Sequence, residues 1–512
     1  MSFRLLLIVL ALVAVSCNTR LRTGDGPSPM TERYRPQFHF SPIRNWTNDP
    51  NGLIWFGGRY HLFFQHNPEK PVWGPMHWGH AVSSDLIHWE QLPIALSPDS
   101  LGYIFSGSAV FDKQNSSGLG TEANPPLILV YTYHNMDRER AGGADYQSQG
   151  LAYSLDGGMS WNKYKANPIL PNPGNMKDFR DPKVTWDQHN GHWVMTLAVK
   201  DHVEFYVSAN LLDWKKAGEF GKGAGAHGGV WECPDLLYLT TKDGREKCVL
   251  LVSVNPGAPN GGSGTQYFVG SFNGSTFLND DNDQNRGWID YGTDNYAGVS
   301  FANVPDGRVV TIGWMSNWQY AQVVPTMEWR NAMTLPREMQ LVRIGEREYL
   351  VSAPATEVEK LRPVVAMNEQ PGKSFSPGNI SLPSGGFELL VDLEGRARAQ
   401  MFAITLKNQK GEALVVGLDS LNQFYIDRQK SGITSFHNGF AAVHVAPRIS
   451  NASKVRVRLL VDASSIEIFA DDGATVMTDI MFPSEPYGLA TITSDDDLRI
   501  SDLRVIPLNS IW

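Results

Sequence analysis

The chain has 512 residues, of which 42% are hydrophobic and 19% charged; this predicts a folded protein of two or three domains and excludes a disordered one. Its net charge is -9 and it has no basic stripe, so neither nucleic acid nor anionic lipid is favoured as a partner. Aromatic residues reach 11% and are spread along the whole sequence.

The N-terminus carries an export pattern. An apolar run of 11 residues, 5–15, ends just before Cys17. This run is too short to span a bilayer and suits the apolar core of a secretion signal. It resembles a bacterial lipoprotein signal, with Ala14 where leucine is usual. The resemblance implies a signal over residues 1–17, lipidation of Cys17 and a polar tether over 18–35. We therefore expect an exported protein that a lipid alone anchors to a bacterial membrane, at the cell surface or in the periplasm; the alternative is plain secretion.

The pattern over residues 36–350 predicts an all-β domain, because short β-branched or aromatic runs alternate with turn residues and helical periodicity is scarce. A weak internal repeat runs through it: a short strand, a serine, a turn with Asp, Asn or Gly, and an aromatic residue. The aromatic positions, 72, 53 and 63 residues apart, are Trp89, Trp161, Trp214 and Phe277. One such hairpin in each four-stranded blade predicts a five-bladed β-propeller, with these aromatic residues packed inside the blades.

The pattern of apolar and polar residues changes after residue 350. Segments such as GFELLVDLEG and KVRVRLLVDASSIEIFADDG alternate apolar and polar residues with a period of two. Half-buried antiparallel strands have this pattern, so residues 360–512 are predicted to form a C-terminal β-sandwich. This part has no catalytic constellation, and we expect it to pack on the propeller and stabilise it. The oligomeric state stays open.

Three carboxylates in the predicted propeller are stiffened by neighbouring proline or glycine. Asp49 lies in NDPNG, Asp181 in DFRDPK, and Glu232 in GGVWECPD, between an indole and a thiol. A proline biases the residue before it away from helix, and apolar neighbours would limit the solvation of Glu232, as a general acid needs. A lone Asp-Pro is usually a turn or a strand cap. Three such acids on the loops of one channel mouth favour glycoside hydrolysis, which uses an acid and a second carboxylate.

Three segments then show a family resemblance: WTNDPNG (46–52), FRDP (179–182) and WECPD (231–235) resemble the signature motifs of glycoside hydrolase family 32. That family contains the levanases, inulinases and invertases. Other segments, such as YHLFFQHNP (60–68) and IFSGSAV (104–110), are similar to bacterial levanase or exo-inulinase sequence. The family fold is a five-bladed β-propeller followed by a β-sandwich, which agrees with the patterns above.

The resemblance implies a role for each acid in a retaining mechanism. Asp49 would be the nucleophile, Glu232 the general acid and then the general base, and Asp181 the transition-state stabiliser. The carboxyl groups of Asp49 and Glu232 should then lie about 5–5.5 Å apart. Carboxylates suffice for this chemistry, so no metal or other cofactor is expected. The matching substrate-binding positions, which would enclose one terminal fructosyl unit, are Asn48, Gln65, Trp73, Phe105, Ser106, Arg180, Tyr296 and Trp314.

Several other residues carry weaker signals. Thr47 replaces a methionine that is common in exo-acting relatives, which leaves fine specificity open. Whether Cys233 and Cys248 pair cannot be read from their spacing. No cluster of His, Cys and Asp with metal-ligand spacing is seen in the sequence. The histidines interpreted as structural or rim residues are His77, His80, His88 and His227.

The favoured activity is exo-acting release of fructose from levan, inulin or sucrose-type ends, with a fructan or fructo-oligosaccharide as partner. An endo-levanase is the main alternative and would need a cleft open at both ends; an invertase is another. A non-catalytic fructan-binding surface protein is disfavoured because all three acids are present. A sialidase is disfavoured as well. The segment SLDGGMSW (154–161) fits an Asp-box pattern, but sialidases need three arginines and a tyrosine nucleophile.

Overall fold

The computed structural model describes residues 30–281, 287–364, 378–395, 401–494 and 499–512. The predicted signal, the lipidation site Cys17 and the first part of the tether lie outside these residues. No helix within them is both long enough and apolar enough to cross a membrane. The described chain is almost entirely β structure and forms the predicted five-bladed β-propeller followed by a β-sandwich.

The propeller strands form five antiparallel sheets, each of which is one blade. Blade one has β1 (Asn45–Phe56), β2 (Arg59–Asn67), β3 (His77–Ser83) and β4 (Glu90–Leu96). Blade two has β5 (Tyr103–Phe111), β6 (Leu127–His134), β7 (Gln147–Ser154) and β8 (Asn162–Lys163), with the helix α1 (Met136–Arg140) before β7. Blade three has β9 (Phe179–Asp187), β10 (His192–Val199), β11 (His202–Ser208) and β12 (Lys215–Phe220).

Blades four and five complete the ring. Blade four has β13 (Val230–Thr240), β14 (Glu246–Asn255), β15 (Gly264–Phe272), β16 (Phe277–Asn279) and β17 (Gly287–Trp288). Blade five has β18 (Tyr296–Ser300), β19 (Val309–Met315), β21 (Ala332–Met333), β22 (Arg337–Ile344) and β23 (Arg347–Pro354). Between β19 and β21, the short strand β20 (Trp329–Arg330) pairs in parallel with β1 and so joins the last blade to the first.

The first strand of each blade lies innermost. β1 contacts β5, β5 contacts β9, β9 contacts β13, β13 contacts β18, and β18 contacts β1 again. These five strands line a central channel, and they run down it in the same direction. Their N-terminal ends therefore meet at one mouth of the channel and their C-terminal ends at the other.

The repeat seen in the sequence marks the outer hairpin of blades one to four, between the third and fourth strands of each blade. In blades one and three the indole N–H donates to a carbonyl three residues earlier, from Trp89 to Leu86 and from Trp214 to Leu211, both at 2.9 Å. The serine and the Asp or Asn side chain of each turn bond to the backbone of the same loop. Trp89, Trp161 and Trp214 are partly buried against apolar core clusters, and Phe277 is fully within one. The predicted packing role of these aromatic residues is therefore confirmed.

The sandwich consists of two antiparallel sheets and the helix η1 (Thr356–Leu361) that leads into it. One sheet has the order β24-β33-β26-β27-β28-β29 and the other β32-β31-β30-β25-β34. Their strands are β24 (Asn379–Ser381), β25 (Phe387–Glu394), β26 (Phe402–Lys407), β27 (Ala413–Leu418), β28 (Gln423–Lys430), β29 (Val443–Pro447), β30 (Lys454–Val461), β31 (Ser465–Ala470), β32 (Thr475–Ile480), β33 (Leu489–Ser494) and β34 (Arg499–Pro507). The apolar residues of both sheets alternate inward and form one core, as the period of two predicts.

Buried ion pairs join the sandwich to the propeller. The imidazole of His39 lies 2.8 Å from carboxylate oxygens of both Asp462 and Glu467. Glu467 also accepts from Arg337 at 2.5 Å, and Arg337 donates to Asp290 at 2.8 Å. Burial disfavours a charged imidazole, but the two carboxylates prevail and raise the pKa of His39 to about 9. The interface thus holds a protonated histidine between two carboxylates. The contribution of this ion pair to the stability of the fold therefore depends on pH.

Candidate active site

All five inner strands have an irregular ladder near the same mouth of the channel. A β-bulge bends a strand and re-aims a side chain, so five bulges at one level direct side chains from every blade toward one point. Three residues there have positive φ, namely Asp181 (+62°), Cys233 (+45°) and Ala297 (+53°), a conformation that is costly outside glycine. The shifts in the pairing lie between Thr47 and Pro50, Phe105 and Gly107, Thr196 and Ala198 (opposite Arg180 to Lys183), Glu232 and Asp235, and Tyr296 and Val299.

A cavity of about 280 Å³ opens at this mouth. Its lining contains the three predicted acids and most of the predicted substrate-binding residues, although they come from four blades. These residues are Asn48, Asp49, Gln65, Trp73, Phe105, Ser106, Arg180, Asp181 and Glu232. The fold therefore brings together side chains that are up to 184 positions apart in the sequence.

Asp49 is held by hydrogen bonds to both of its carboxylate oxygens. The Ser106 hydroxyl donates to Oδ2 at 2.7 Å, and the Asn48 amide donates to Oδ1 at 3.1 Å. Asn48 is in turn fixed by the indole N–H of Trp46 at 2.7 Å. Burial and then the charge of Glu232 raise the pKa of Asp49, whereas these hydrogen bonds lower it. The carboxylate thus has a defined direction, and the two donors favour its ionised form.

Cys233 connects two of the acids. Its thiol sulfur lies 3.5 Å from Oδ2 of Asp49 and 3.6 Å from Oδ2 of Asp181, and its backbone N–H donates to the latter oxygen at 3.0 Å. Burial and the neighbouring carboxylates raise the pKa of the Cys233 thiol, so it stays protonated and can donate to either acid. Burial also raises the pKa of Asp181 to about 7, against the opposing charge of Arg180. The thiol is free, as is that of Cys248, so the two cysteines do not pair.

The surroundings of Glu232 differ from those expected. Arg180 donates to Oε1 of Glu232 from Nη2 at 2.8 Å and from Nε at 3.2 Å, and the Tyr296 hydroxyl donates to Oε2. The indole of Trp231 instead packs into the core of the blade and donates to a backbone carbonyl there, because successive residues of a strand point to opposite faces. Glu232 is therefore positioned by a guanidinium and a phenol, not between an indole and a thiol.

Two predicted substrate-binding residues do not line the cavity. Tyr296 is 1% exposed and reaches the site only through its bond to Glu232. Trp314 is fully buried within β19, where it packs against Tyr296 and Trp318 at ring-centroid distances of 6.3 and 4.8 Å. Trp318, in the loop after β19, lines the cavity instead. Trp314 therefore lies behind the cavity wall, where its side chain packs into the core, and the loop after β19 provides the wall.

The remaining wall of the cavity was not foreseen. The helix α1 presents Glu139, whose carboxylate lies 3.0 Å from Nε2 of His134, and Phe105 stacks on His134 at 4.2 Å. The only local signal is that Asn135 caps a short acidic helix start, which predicts a helix but not its place at the mouth. The lining residues that were missed are His134, Glu139, Tyr146, Gln147, Asp178, Trp318 and Gln322.

The four histidines interpreted from the sequence as structural or rim residues do not line the cavity. His80 is buried, stacks on Phe63 at 4.1 Å, and has its pKa lowered to about 3 by burial, so it is neutral. His88 bonds to Asp85 in the outer turn of blade one. These four histidines, none of which lines the cavity, are His77, His80, His88 and His227.

One group of side chains in the described residues has a metal-like arrangement, outside the site. Candidate ligand atoms of His202, Glu204 and Glu219 lie within 4.8 Å of one another. The ammonium of Lys216 donates to Glu204 at 2.5 Å and to Glu219 at 2.8 Å. Lys216 therefore already supplies the positive charge that a cation would bring to these glutamates.

Comparison with known proteins covers both domains. Residues 39–354 match the family described as "Glycosyl hydrolases family 32 N-terminal domain", and residues 357–507 match "Glycosyl hydrolases family 32 C terminal". The chain is 44% identical to a levanase from Bacillus subtilis, over 94% of this chain and 71% of that protein. It is 40% identical to an extracellular exo-inulinase from Aspergillus niger, over 94% of this chain and 95% of that protein. A crystal structure of exo-inulinase from Aspergillus awamori superimposes with a TM-score of 0.86 at 37% identity, covering 94% of this chain and all of that one.

Proposed function

Since the chain belongs to glycosyl hydrolase family 32, we propose that it is a retaining β-fructofuranosidase that releases fructose from the ends of levan or inulin and from sucrose-type ends. The observation that carries this proposal is the meeting of three carboxylates, each with different partners, in one small cavity. Asp49 is held by a hydroxyl and an amide, Asp181 by a backbone N–H, and Glu232 by a guanidinium and a phenol. Carboxylates with distinct catalytic roles need surroundings that differ in this way.

In the first step, Glu232 gives its proton to the glycosidic oxygen while a carboxylate oxygen of Asp49 attacks C2 of the fructosyl unit. The C2–O bond to the leaving group breaks and a bond from C2 to Asp49 forms, with inversion. In the second step, Glu232 takes a proton from water, the water oxygen bonds to C2, and Asp49 leaves with a second inversion. Asp181 holds hydroxyl groups of the sugar and stabilises the transition state. The hydrogen bonds of Asp49 keep its attacking carboxylate in place through both steps.

Release from chain ends is supported by the shape of the cavity. A volume of about 280 Å³ lies just below the usual range of ligand sites, roughly 300–1,000 Å³. Trp73 and Trp318 come from two different loops and Glu139 from the helix α1, and all three line the cavity. A terminal fructosyl unit fits such a pocket better than the middle of a polymer does. The relatives described above are named levanase and exo-inulinase, which fits fructans as substrates.

The test is chromatography of the products from levan, inulin and sucrose in separate reactions. Fructose alone from the earliest time points is expected, and the variants Asp49→Ala and Glu232→Ala should lose turnover while keeping the circular dichroism spectrum of the parent. A ladder of oligosaccharides would instead indicate endo action. No product from any substrate would favour a binding protein, and strong residual activity in either variant would refute the assigned roles.

We propose further that the protein is exported and held at a membrane through a lipid on Cys17. The apolar run before Cys17 supports the lipid anchor. The extracellular relative from Aspergillus niger supports export alone. The variant Cys17→Ala should move from the membrane fraction to the soluble fraction after cell fractionation. An unchanged distribution would mean that the lipid anchor is absent.

A further inference from the structure

A second cavity lies at the opposite mouth of the propeller channel. The inner strands that place Asp49 and Asp181 at the active site place Ile54 and Trp186 five positions further along, which at strand geometry is about 16 Å away. There the five inner strands surround a cavity of about 510 Å³, larger than the active-site cavity. We call it the distal cavity; its size lies within the usual range of ligand sites, roughly 300–1,000 Å³.

The two cavities are separate sites. Between them the channel narrows to a void of about 10 Å³, lined by Pro50, Pro182 and Pro234 among others. Lys183 lines both this void and the distal cavity, and its ammonium donates to the Ser300 carbonyl at 2.8 Å. A sugar therefore cannot pass from the active site to the distal cavity, and a ligand there would enter from the other face of the propeller.

Aromatic faces line the distal cavity. Trp186, Phe111 and Tyr238 each belong to a different inner strand and are only partly buried. The ring of Trp186 is held edge-on against Trp193, with centroids 5.0 Å apart and planes at 70°. Rings that are fixed in this way and partly open to solvent provide flat apolar surfaces on which the C–H face of a sugar can stack.

Neutral polar groups surround these rings. The side-chain amides of Gln114 and Gln188 line the cavity, are exposed, and make no hydrogen bond to any described residue. The two carboxamides offer both donors and acceptors, and this combination suits hydroxyl groups.

The buried charges near the distal cavity are already paired. The Asp112 carboxylate accepts from the backbone and hydroxyl groups of Ser116 and Ser117, and Lys183 lies 3.0 Å from the Asp235 carboxylate. No buried charge among the described lining residues is left to bind an ion. Lys113 also lines the cavity, but it is exposed, so its ammonium is hydrated. The lining thus suits a ligand with both hydroxyl groups and apolar faces.

We propose that the distal cavity binds fructosyl units of the same polymer whose ends are cleaved at the active site, an inference that rests on the proposed function. A levan or inulin molecule is long and carries many identical units, so one segment can occupy the distal cavity while an end reaches the active site of the same or a neighbouring molecule. Holding the polymer raises the effective concentration of its ends. Sucrose is too short to occupy both cavities, so its hydrolysis should not depend on the distal cavity.

The test compares kcat/KM for levan and for sucrose in Trp186→Ala and in the double variant Gln114→Ala/Gln188→Ala. We expect kcat/KM for levan to fall about fivefold, as loss of one stacking contact implies, while the value for sucrose stays within about twofold. The exposed amides can be removed without disturbing the fold, so the double variant remains informative if Trp186→Ala unfolds. The matched control is Gln409→Ala, an exposed amide on the sandwich, which should change neither value. An unchanged ratio of levan to sucrose activity in both variants would overturn the proposal.

Binding is measured separately by electrophoresis in native gels that contain levan, with Asp49→Ala as the parent so that the polymer persists. Levan should retard the parent more than Asp49→Ala/Trp186→Ala, and equal retardation would overturn the distal site. This readout does not depend on turnover. If the natural chain releases no fructose from any substrate, the proposed function fails, and the gel comparison still decides whether the distal cavity binds the polymer.

Discussion

The hydrogen bond from Ser106 to Asp49 offers a direct test of the proposed nucleophile. Ser106→Ala removes a 2.7 Å donor to a buried carboxylate that is 8% exposed. The bond lowers the pKa of Asp49, so its loss raises that pKa and the carboxylate ionises only at higher pH. A hydrogen bond to a charged group contributes about 1.5–3 kcal/mol. Taking the low end, the acid limb of kcat/KM should move up by about one pH unit.

The assay is the initial rate of fructose release from sucrose, well below KM, over a range of pH from acid to neutral. The matched control is Ser108→Ala, two residues further along the same strand, whose buried hydroxyl donates to the Pro182 carbonyl at 2.8 Å and touches no acid. The acid limb should stay in place in that variant. If Ser106→Ala leaves the acid limb where it is, or if Ser108→Ala moves it equally, the assignment of Asp49 as the group that must be ionised is refuted.

Three further changes probe other parts of the structure. Tyr296→Phe removes the phenol that donates to Glu232 and should lower kcat about tenfold or more, as loss of one hydrogen bond to a charged group implies, with KM for sucrose little changed; a change in KM alone would contradict this role. Trp318→Ala opens the cavity wall and should raise KM for sucrose several-fold, whereas an unchanged KM would mean that this ring does not contact the sugar. His39→Gln should flatten the pH dependence of unfolding by urea. The pKa of His39 is raised to about 9, so protonated His39 contributes roughly 3 kcal/mol to the free energy of unfolding. This contribution is present below its ordinary pKa near 6.5 and is lost as the pH rises through 9. Equal loss of stability over that window in both proteins would refute this role of His39.

Much of the architecture follows from local patterns. The turn chemistry that ends at Trp89 and Trp214 involves residues close together in the chain, so the outer hairpins could be read without knowing what surrounds them. The same holds for Asp49 and Asp181, whose Asp-Pro pairs restrict the backbone locally. The alternation beyond residue 350 reports burial on one face of each strand, which is also a local property.

The contacts within the site are a different matter. The partners of Glu232 are Arg180 and Tyr296, which come from other blades, and its neighbour Trp231 faces away. Trp314 and Trp318 are four positions apart and have similar surroundings in sequence, yet only one of them reaches the cavity. Which of two nearby tryptophans becomes a wall depends on where a strand ends and a loop begins in three dimensions.

The amino-acid sequence by itself determined the all-β class, the two domains' strand patterns and the three acids, because turn residues, alternation and proline act over a few positions. Only the tertiary structure decided that five bulged strands aim their side chains at one mouth, that Glu139 and Trp318 complete the pocket, and that a second cavity lies at the other mouth. Closing a ring of blades is what joins these residues, and the distances across that ring depend on packing between strands far apart in the chain.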